Sequence, residues 1–411
     1  MKLLLVQSPT GRREEPIFPL GLACLAGQLQ GHEIRVLDLG ICDDPRRELA
    51  DAVGSFAPEV TAISLRNIDD SSWPRTHSYL APFGEALSAL SGYRGAVVVG
   101  GPGFSIYPET LMKAFPRIDY GVAGEGEEAL PFILETLGSG STPPRLTIPP
   151  RPDLTAIRPP AYSLFDLAPY ARGFGVGVQS RRGCSFSCRY CTYSFLGGRS
   201  FRCRPVEAVA ADVENLARLG VERFQFVDSV FDAPRDYFRS LVRAVARLEA
   251  HMEWGAWLDT GVEAADLAAM KAAGAVKVDL SPDAITARGL RMLGKNGRPS
   301  DLYPSVAAAR RAGLAVGVNF FSGNPGEGFA ALVGKLLFML RARLLLGWGS
   351  TFVSIGTIRV YAHSGIAEDM VRDGRAPAGA DFLAPVFLEP RGAARWLHRA
   401  FLAARDRRHG E

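Results

Sequence analysis

Residues 183–191 read Gly-Cys-Ser-Phe-Ser-Cys-Arg-Tyr-Cys, which puts the thiols of Cys184, Cys188 and Cys191 within eight residues of one another. Cysteines that close on one loop rarely meet disulfide geometry, so a shared metal is the chemistry their spacing favours. Zinc usually takes a fourth Cys or His at a matching distance, and no second CxxC or HxxxH lies nearby. A [4Fe–4S] cluster on three thiolates keeps one iron open for a substrate. Buried free thiols, or zinc, are the competing readings.

The elements that must hold this loop are legible on both sides. A β-like run from Phe174 to Gln179 precedes it and a helical stretch follows. Six β-like runs alternate with helices from there: Phe174–Gln179, Arg223–Val227, Glu253–Leu258, Val276–Leu280, Ala315–Phe321 and Phe352–Val360. Polar residues at the strand ends suggest a barrel whose active face is its top. Upstream, strands are expected at Lys2–Gln7, Glu33–Leu37, Val60–Leu65, Ala96–Val99 and Tyr120–Val122. Helices are expected near Leu20–Leu29, Arg46–Val53, His77–Leu90, Glu109–Ala114 and Glu127–Leu137. This alternation predicts βαβ units and a parallel sheet, with ligands in the crevice at the strand carboxyl ends. Prolines 143, 144, 149, 150, 152, 159, 160 and 169 predict a connector without regular elements between the two halves.

Length and composition agree. At 411 residues the chain suits two domains, and 47% hydrophobic with 22% charged residues is ordinary for a globular protein. A net charge of +4, spread over scattered arginines, leaves no nucleic-acid footprint. The apolar start MKLLLV soon meets charge and is too short for a signal peptide or a span. The apolar stretch Leu332 to Trp348 is broken by Lys335, Arg341 and Arg343, so no membrane partner is expected. A reducing, cytoplasmic location follows. Cys24, Cys42 and Cys203 are expected to be ordinary structural thiols. No G-x-G-x-x-G opens the first helix, which makes nicotinamide binding a weak reading.

The Cys-x3-Cys-x2-Cys spacing, with Tyr190 before the third Cys, resembles the radical S-adenosylmethionine (SAM) superfamily. The segments GGPGFSIYPE and GVAGEGEEAL resemble the cobalamin-binding domain that precedes many such modules, and Pro159 to Asp166 resembles its linker. The resemblance implies an α/β chain: a flavodoxin-like, Rossmann-type cobalamin-binding domain (1–140), a proline-rich linker (141–173), a partial (β/α)6 TIM-barrel radical SAM domain (174–365) and a short C-terminal helical tail (366–411). The cofactors implied are a [4Fe–4S] cluster, SAM and cobalamin. Cobalamin would lie on Arg66, Asn67, Gly100, Gly101, Pro102, Gly103, Phe104, Gly124, Glu125 and Gly126, where glycines let a bulky ligand approach the backbone. The Asp-x-His-x-x-Gly signature of cobalt-ligating proteins is missing, and His32 stands at a strand start where exposure is expected. Arg66 is therefore placed near the lower corrin face, where a cation disfavours axial ligation; pairing with Asp69 or Asp70 is the plainer alternative. Trp73 and Tyr107 would pack on the ligand or on the core.

For SAM the resemblance points to Tyr190, to Asp228 and Ser229 at the amino group, to Asp279, Ser281 and Asp283 at the ribose or carboxylate, to Asn319 on the adenine-contacting strand, and to Arg359. Asp283 and Glu327 could equally be helix N-terminal acids. Relatives often read Tyr-Pro-Gly-Thr where this chain has Tyr361-Ala362-His363-Ser364-Gly365; His363 is a candidate proton acceptor or a surface residue. Arg199, Arg202 and Arg204 could steady an anion or the cobalamin periphery, or form a solvated loop. Trp254 or Trp257 could wall the substrate pocket, and the basic helix from about Arg391 to Arg408 is expected to be a solvated face. The implied activity is C-methylation of an unactivated carbon of a small metabolite, through methylcobalamin and a 5′-deoxyadenosyl radical. An electron donor such as flavodoxin or ferredoxin would serve it. Alternatives are oxidative cyclisation, ring contraction or rearrangement without methyl transfer, a tryptophan-type methyltransferase without the adenosyl radical, and a non-enzymatic cobalamin or cluster sensor.

Overall fold

A computed structural model describes residues 1–10, 15–347 and 351–409. Trp348, at the end of the long apolar stretch, lies outside the described residues. The chain divides into two compact units. The first comprises Met1–Asp70, His77–Arg182 and Arg202–Gln225, and the second Ser71–Thr76, Gly183–Phe201 and Phe226–Glu411.

The first unit is built on a sheet of six parallel strands: β1 (Lys2–Gln7), β2 (Glu33–Asp38), β3 (Val60–Ser64), β4 (Ala96–Gly100), β5 (Tyr120–Val122) and β6 (Leu146–Thr147). Their order, β2-β1-β3-β4-β5-β6, is the flavodoxin-like doubly wound order with one added edge strand. Leu3, Leu4, Leu5 and Val6 are at most 1% exposed, as a central parallel strand covered on both faces requires. The helices Leu20–Gln28 and Gly126–Gly138 supply Leu22, Ala26, Leu130, Ile133 and Leu134 to one core face.

Two expectations need correction here. β6 falls inside the segment expected to lack regular structure. The prolines flank Leu146 and Thr147 without occupying them, and an edge strand needs pairing on one side only. A short helix, Pro102–Ile106, follows β4 directly and was not foreseen, because Gly100-Gly101 reads as a loop.

The second sheet has six strands: β7 (Gly177–Val178), β10 (Arg223–Phe226), β11 (Glu253–Leu258), β12 (Ala275–Asp283), β13 (Ala315–Ser322) and β14 (Thr351–Thr357), in the order β7-β10-β11-β12-β13-β14. Pairing from β11 to β14 is parallel, and helices separate these strands in sequence. The expected run Phe174–Gln179 keeps only two strand residues. Beyond it a small antiparallel ladder, β8 (Arg181–Arg182) with β9 (Arg202–Cys203), forms the stem of the three-thiol loop. The expected last strand divides at Ile358 into β14 and β15 (Arg359–Val360), and β15 turns away to pair with β16 (Val386–Phe387).

The helix Ala393–His409 is not merely a solvated face. Ala394, His398 and Leu402, spaced four apart, are buried, while Arg395 and Arg399 are exposed.

Candidate functional site: a three-thiol loop beside an aromatic cavity

The loop between β8 and β9 is set by close backbone packing. Gly183 has φ of +77°, and a Cβ there would lie 2.1 Å from the Ser200 carbonyl oxygen and 2.8 Å from that of Gly197. The Cys184 amide donates to Gly198 O at 3.0 Å and the Tyr193 amide to Cys191 Sγ at 3.4 Å. Arg189 fastens the loop's middle: its guanidinium meets Asp369 at 2.6 Å and Gly365 O at 3.0 Å, and its own carbonyl accepts the Ile366 amide. Cys184, Cys188 and Cys191 are all free and half-buried. Burial pushes the Cys188 thiol up to about 12 and also raises Cys191, with the neighbouring thiols adding to both and Lys295 opposing.

Among the described residues no three His, Cys, Asp or Glu side chains are closed up as a ligand set. Ligands of a single ion must converge on one point, whereas each thiolate of a four-iron cluster binds its own iron. Three thiols on one loop are the number that leaves one iron of a [4Fe–4S] cluster open.

Beside the loop, Tyr190 donates to Asp283 Oδ2 at 2.7 Å, and Lys295 Nζ meets the same oxygen at 3.0 Å. Asp283 is 2% exposed and holds φ of +63°, a costly conformation kept by these partners. The expectation that Asp283 caps a helix needs correction: the helix Ala287–Met292 is capped by Thr286, whose side chain accepts from Gly289 N. Glu327 does serve that helix start, accepting from the Ile285 and Thr286 amides at 3.0 Å each.

The other sequence-derived SAM candidates lie on or near strands of the second unit, and Asp279 and Asn319 fall within β12 and β13 rather than at their ends, because both strands run further than expected. Asp228 is buried just after β10, and Ser229 donates to Gly183 O at 3.2 Å, at the foot of the thiol loop. Asp279 is buried on β12 and paired with Lys277 at 3.0 Å; Ser281 is half-buried two residues on. Asn319 Oδ1 accepts from Ser354 at 2.5 Å, while its Nδ2 is buried without a protein acceptor, an open donor on β13. Arg359 is 4% exposed and donates to Leu383 O at 2.9 Å and to Val360 O. His363 is exposed and stacked on Phe195 at 3.9 Å between ring centroids. Trp254 is fully buried and donates to Ala273 O at 2.7 Å, so it belongs to the core, whereas Trp257 is 38% exposed.

In the first unit the candidate cobalamin residues gather at the carboxyl ends of β3, β4 and β5. Arg66 and Asn67 are exposed directly beyond β3. Burial raises the pKa of Asp38, at the end of β2, and the charge of Arg66 is among the groups that oppose this. Gly101 and Gly103 make room for protein backbone: a Cβ would lie 2.8 Å from Leu65 O at Gly101, and 3.0 Å from Leu65 O at Gly103. Phe104 is buried, and Ser105 Oγ accepts the Gly124 amide at 2.9 Å. Gly124 has φ of +127°, and a Cβ there would be in ordinary contact with Pro149 at 3.6 Å, so the backbone conformation rather than crowding calls for glycine. Glu125 is held by Arg182 at 2.8 Å and by Arg202; Arg182 also reaches Glu127 at 2.5 Å, a buried ionic network. Arg204 is likewise buried on Asp212 at 2.6 Å, and Arg199 is exposed. His32 lies at the opposite, amino end of β2, half-buried rather than exposed, with Nδ1 shielded from solvent. Tyr107 is buried.

A cavity of about 410 Å3 adjoins the thiol loop within the second unit, lined by Tyr190, Cys191 and Thr192 on one side. Its other walls come from Ser71-Ser72-Trp73, from β14 and β15, and from His398 and Leu402 of the last helix. His398 escaped the sequence reading; the four-residue spacing of Ala394, His398 and Leu402 was the available signal.

A flavodoxin-order sheet followed by a parallel sheet carrying a three-thiol loop defines an α/β chain of two units with a candidate metal centre. Comparison with known proteins specifies it. The B12 binding domain model matches residues 10–134 and the Radical SAM superfamily model residues 178–334, together more than half of the chain. An uncharacterized methyltransferase of Pyrococcus horikoshii is 27% identical over 354 residues, covering 80% of this chain and 75% of that protein. The tryptophan 2-C-methyltransferase of Streptomyces laurentii is 24% identical over 307 residues, covering 57% of this chain and 51% of that one. The radical SAM methyltransferase TsrM from Kitasatospora setae, solved with tryptophan and a SAM analogue bound, superposes with a TM-score of 0.79 over 95% of this chain and 80% of that one. At 21% identity it establishes the fold. The chain belongs to the cobalamin-binding radical SAM enzymes. No described helix is long and apolar enough to cross a membrane.

Proposed function

We propose that this enzyme moves a methyl group from SAM, by way of cobalamin, to an unactivated carbon of a small molecule. The observation that carries the reading is the cavity of about 410 Å3 against Tyr190 and Cys191, a volume within the range of small-molecule sites. When bound, the cluster would supply the electron that cleaves SAM, and cobalamin would carry the methyl group.

The chain's own residues position these groups. Cys184, Cys188 and Cys191 hold the cluster, and the Tyr193 amide, donating to Cys191 Sγ, tunes that sulfur. Asp283 and Lys295 keep Tyr190 fixed beside the cavity. Asp228 and Ser229 are assigned to the methionine amino group, Asp279 and Ser281 to the ribose or carboxylate, and the open Asn319 Nδ2 donor to the adenine. Arg66 and Asn67, beyond β3 at the switch point where such sheets bind ligands, and the backbone around Gly124, beyond β5, are assigned to cobalamin. An acidic one-electron donor of the flavodoxin or ferredoxin kind would reduce the cluster.

The test uses anaerobically reconstituted protein with cobalamin, reductant and methyl-deuterated SAM, read by mass spectrometry. Label recovered on cobalamin is the expected result. If 5′-deoxyadenosine forms while cobalamin stays unlabelled, methyl transfer fails and a rearrangement without it takes its place.

A further inference from the structure

The cavity beside the thiol loop has a chemistry of its own. Five of its lining residues carry aromatic rings: Trp73, Tyr190, Phe321, Tyr361 and His398. They are held in two sets. Tyr190 and Phe321 meet edge to face at 5.1 Å, and Trp73 stacks on His398 at 5.1 Å with an interplanar angle of 19°.

His398 is locked in place. Its Nδ1 lies 2.6 Å from Ser322 Oγ and its Nε2 3.2 Å from Ile355 O. A carbonyl only accepts, so Nε2 carries the proton and Nδ1 accepts from the serine hydroxyl. Both nitrogens are thus used by the protein, and the imidazole offers Trp73 its face. The indole of Trp73 is fixed in turn, with Arg399 5.5 Å from its ring centroid. The Tyr361 hydroxyl shares a hydrogen bond with Ser71 at 2.7 Å, and its ring packs on Arg359 at 4.6 Å.

Charge is the second discriminator. Among the described lining residues none is Asp or Glu. The single cationic side chain, Arg359, already donates to two backbone carbonyls. A substrate with an ammonium group would find no carboxylate here, and a strongly anionic one would have to draw Arg359 off its acceptors. What the cavity offers is aromatic and aliphatic surface together with the hydroxyl groups of Ser71, Ser72, Thr192, Thr357 and Tyr361.

We propose that this cavity is the acceptor-substrate site and selects a planar, uncharged, aromatic or conjugated molecule, with Trp73, buttressed by His398, as the residue that determines specificity. The assignment rests on the reading of the cavity as the place where the methyl acceptor sits. Aromatic rings reward flat partners by edge-to-face as well as stacked contacts, and an indole that is 9% exposed and held by His398 and Arg399 loses little entropy in making them.

The test is binding of two probes with the same carbon skeleton and hydroxyl, 2-naphthol and decahydro-2-naphthol, to the anaerobically reconstituted holoenzyme by calorimetry. The flat probe should bind about tenfold more tightly than the saturated one, as a few aromatic contacts would produce. Trp73→Leu should abolish the preference and Trp73→Phe should keep most of it. Leu402→Trp, which fills the cavity, should abolish binding of both probes while circular dichroism stays that of the wild type. Equal binding of the two probes to the wild type, an undiminished preference in Trp73→Leu, or undiminished binding in folded Leu402→Trp each overturns the assignment. Transfer of label to cobalamin is measured on the wild type without any acceptor. Label without a planar preference sinks this inference alone; a planar preference without label sinks the methyl-transfer reading and leaves the pocket's selectivity standing.

Discussion

Glu327 and Lys335 meet almost entirely out of solvent, with side chains 3% and 1% exposed. Glu327 also accepts from Ile285 N, Thr286 N, Thr286 Oγ1 and Asn324 Nδ2, while Lys335 donates to Phe321 O at 2.7 Å. Burial pushes the Glu327 carboxyl up, but Lys335 and these donors outweigh it and hold it below its usual value. Burial pulls Lys335 down, with Glu327 opposing. Removing one partner of such a pair strands a buried charge. Lys335→Met should therefore cost about 3–5 kcal/mol, measured by urea unfolding of the apo protein. The acid limb has a definite sign. A carboxyl with a folded pKa below its unfolded value contributes stability that is complete above the unfolded pKa, about 4.3, and is lost as pH falls through the folded one. The wild type should lose stability as pH falls below about 4, and Lys335→Met should lose less, because its Glu327 pKa is no longer held down by the lysine. The glutamate was legible as a helix-terminal acid. Its lysine was read only as a break in an apolar stretch, because a buried cation in such a run has no local signature.

At the scale of elements, the thiol loop shows how little of a site's support is written beside it. The three thiols and Tyr190 stand in one motif and were read directly. The β8–β9 stem was not, since two-residue strands carry no periodicity. Nor were the distant partners, Asp369 for Arg189 and Asp283 with Lys295 around Tyr190, which the fold brings in from nearly 100 to 180 residues away. Gly183 is where the loop is most constrained. Gly183→Ala places a methyl group against the Ser200 and Gly197 carbonyls in a backbone region that L-residues avoid. The loop must shift, carrying Cys184 with it. The expected outcome is iron incorporation on reconstitution reduced at least severalfold, by colorimetric iron assay, with the far-ultraviolet circular dichroism unchanged. Full iron loading would show that the loop's register is set elsewhere, with the Arg189–Asp369 pair as the next element to test.

At the scale of the whole chain, the alternation of strands and helices was enough to foretell two α/β sheets, because buried parallel strands such as Leu3 to Val6 read as unbroken apolar runs. The last helix was the part least legible: its many arginines masked the buried stripe through His398. The proposed sites put the two cofactors on different residues. The thiol loop and its clamps belong to the second unit, while Arg66, Asn67 and the Gly124 turn lie at the strand ends of the first. Loading of one cofactor should thus be separable from loading of the other. Cys188→Ser should lose most of the iron while keeping cobalamin through gel filtration. Arg66→Glu should do the reverse, since an acid replaces an exposed cation beside Asp38 at the β3 end, the place assigned to the corrin. Iron and cobalt are counted together by inductively coupled plasma mass spectrometry on each variant. Joint loss in both variants would mean that each site needs the other occupied to form. Retention of cobalt by Arg66→Glu at the wild-type level would move cobalamin off the β3 end and leave the Gly124 turn beyond β5 as its anchor.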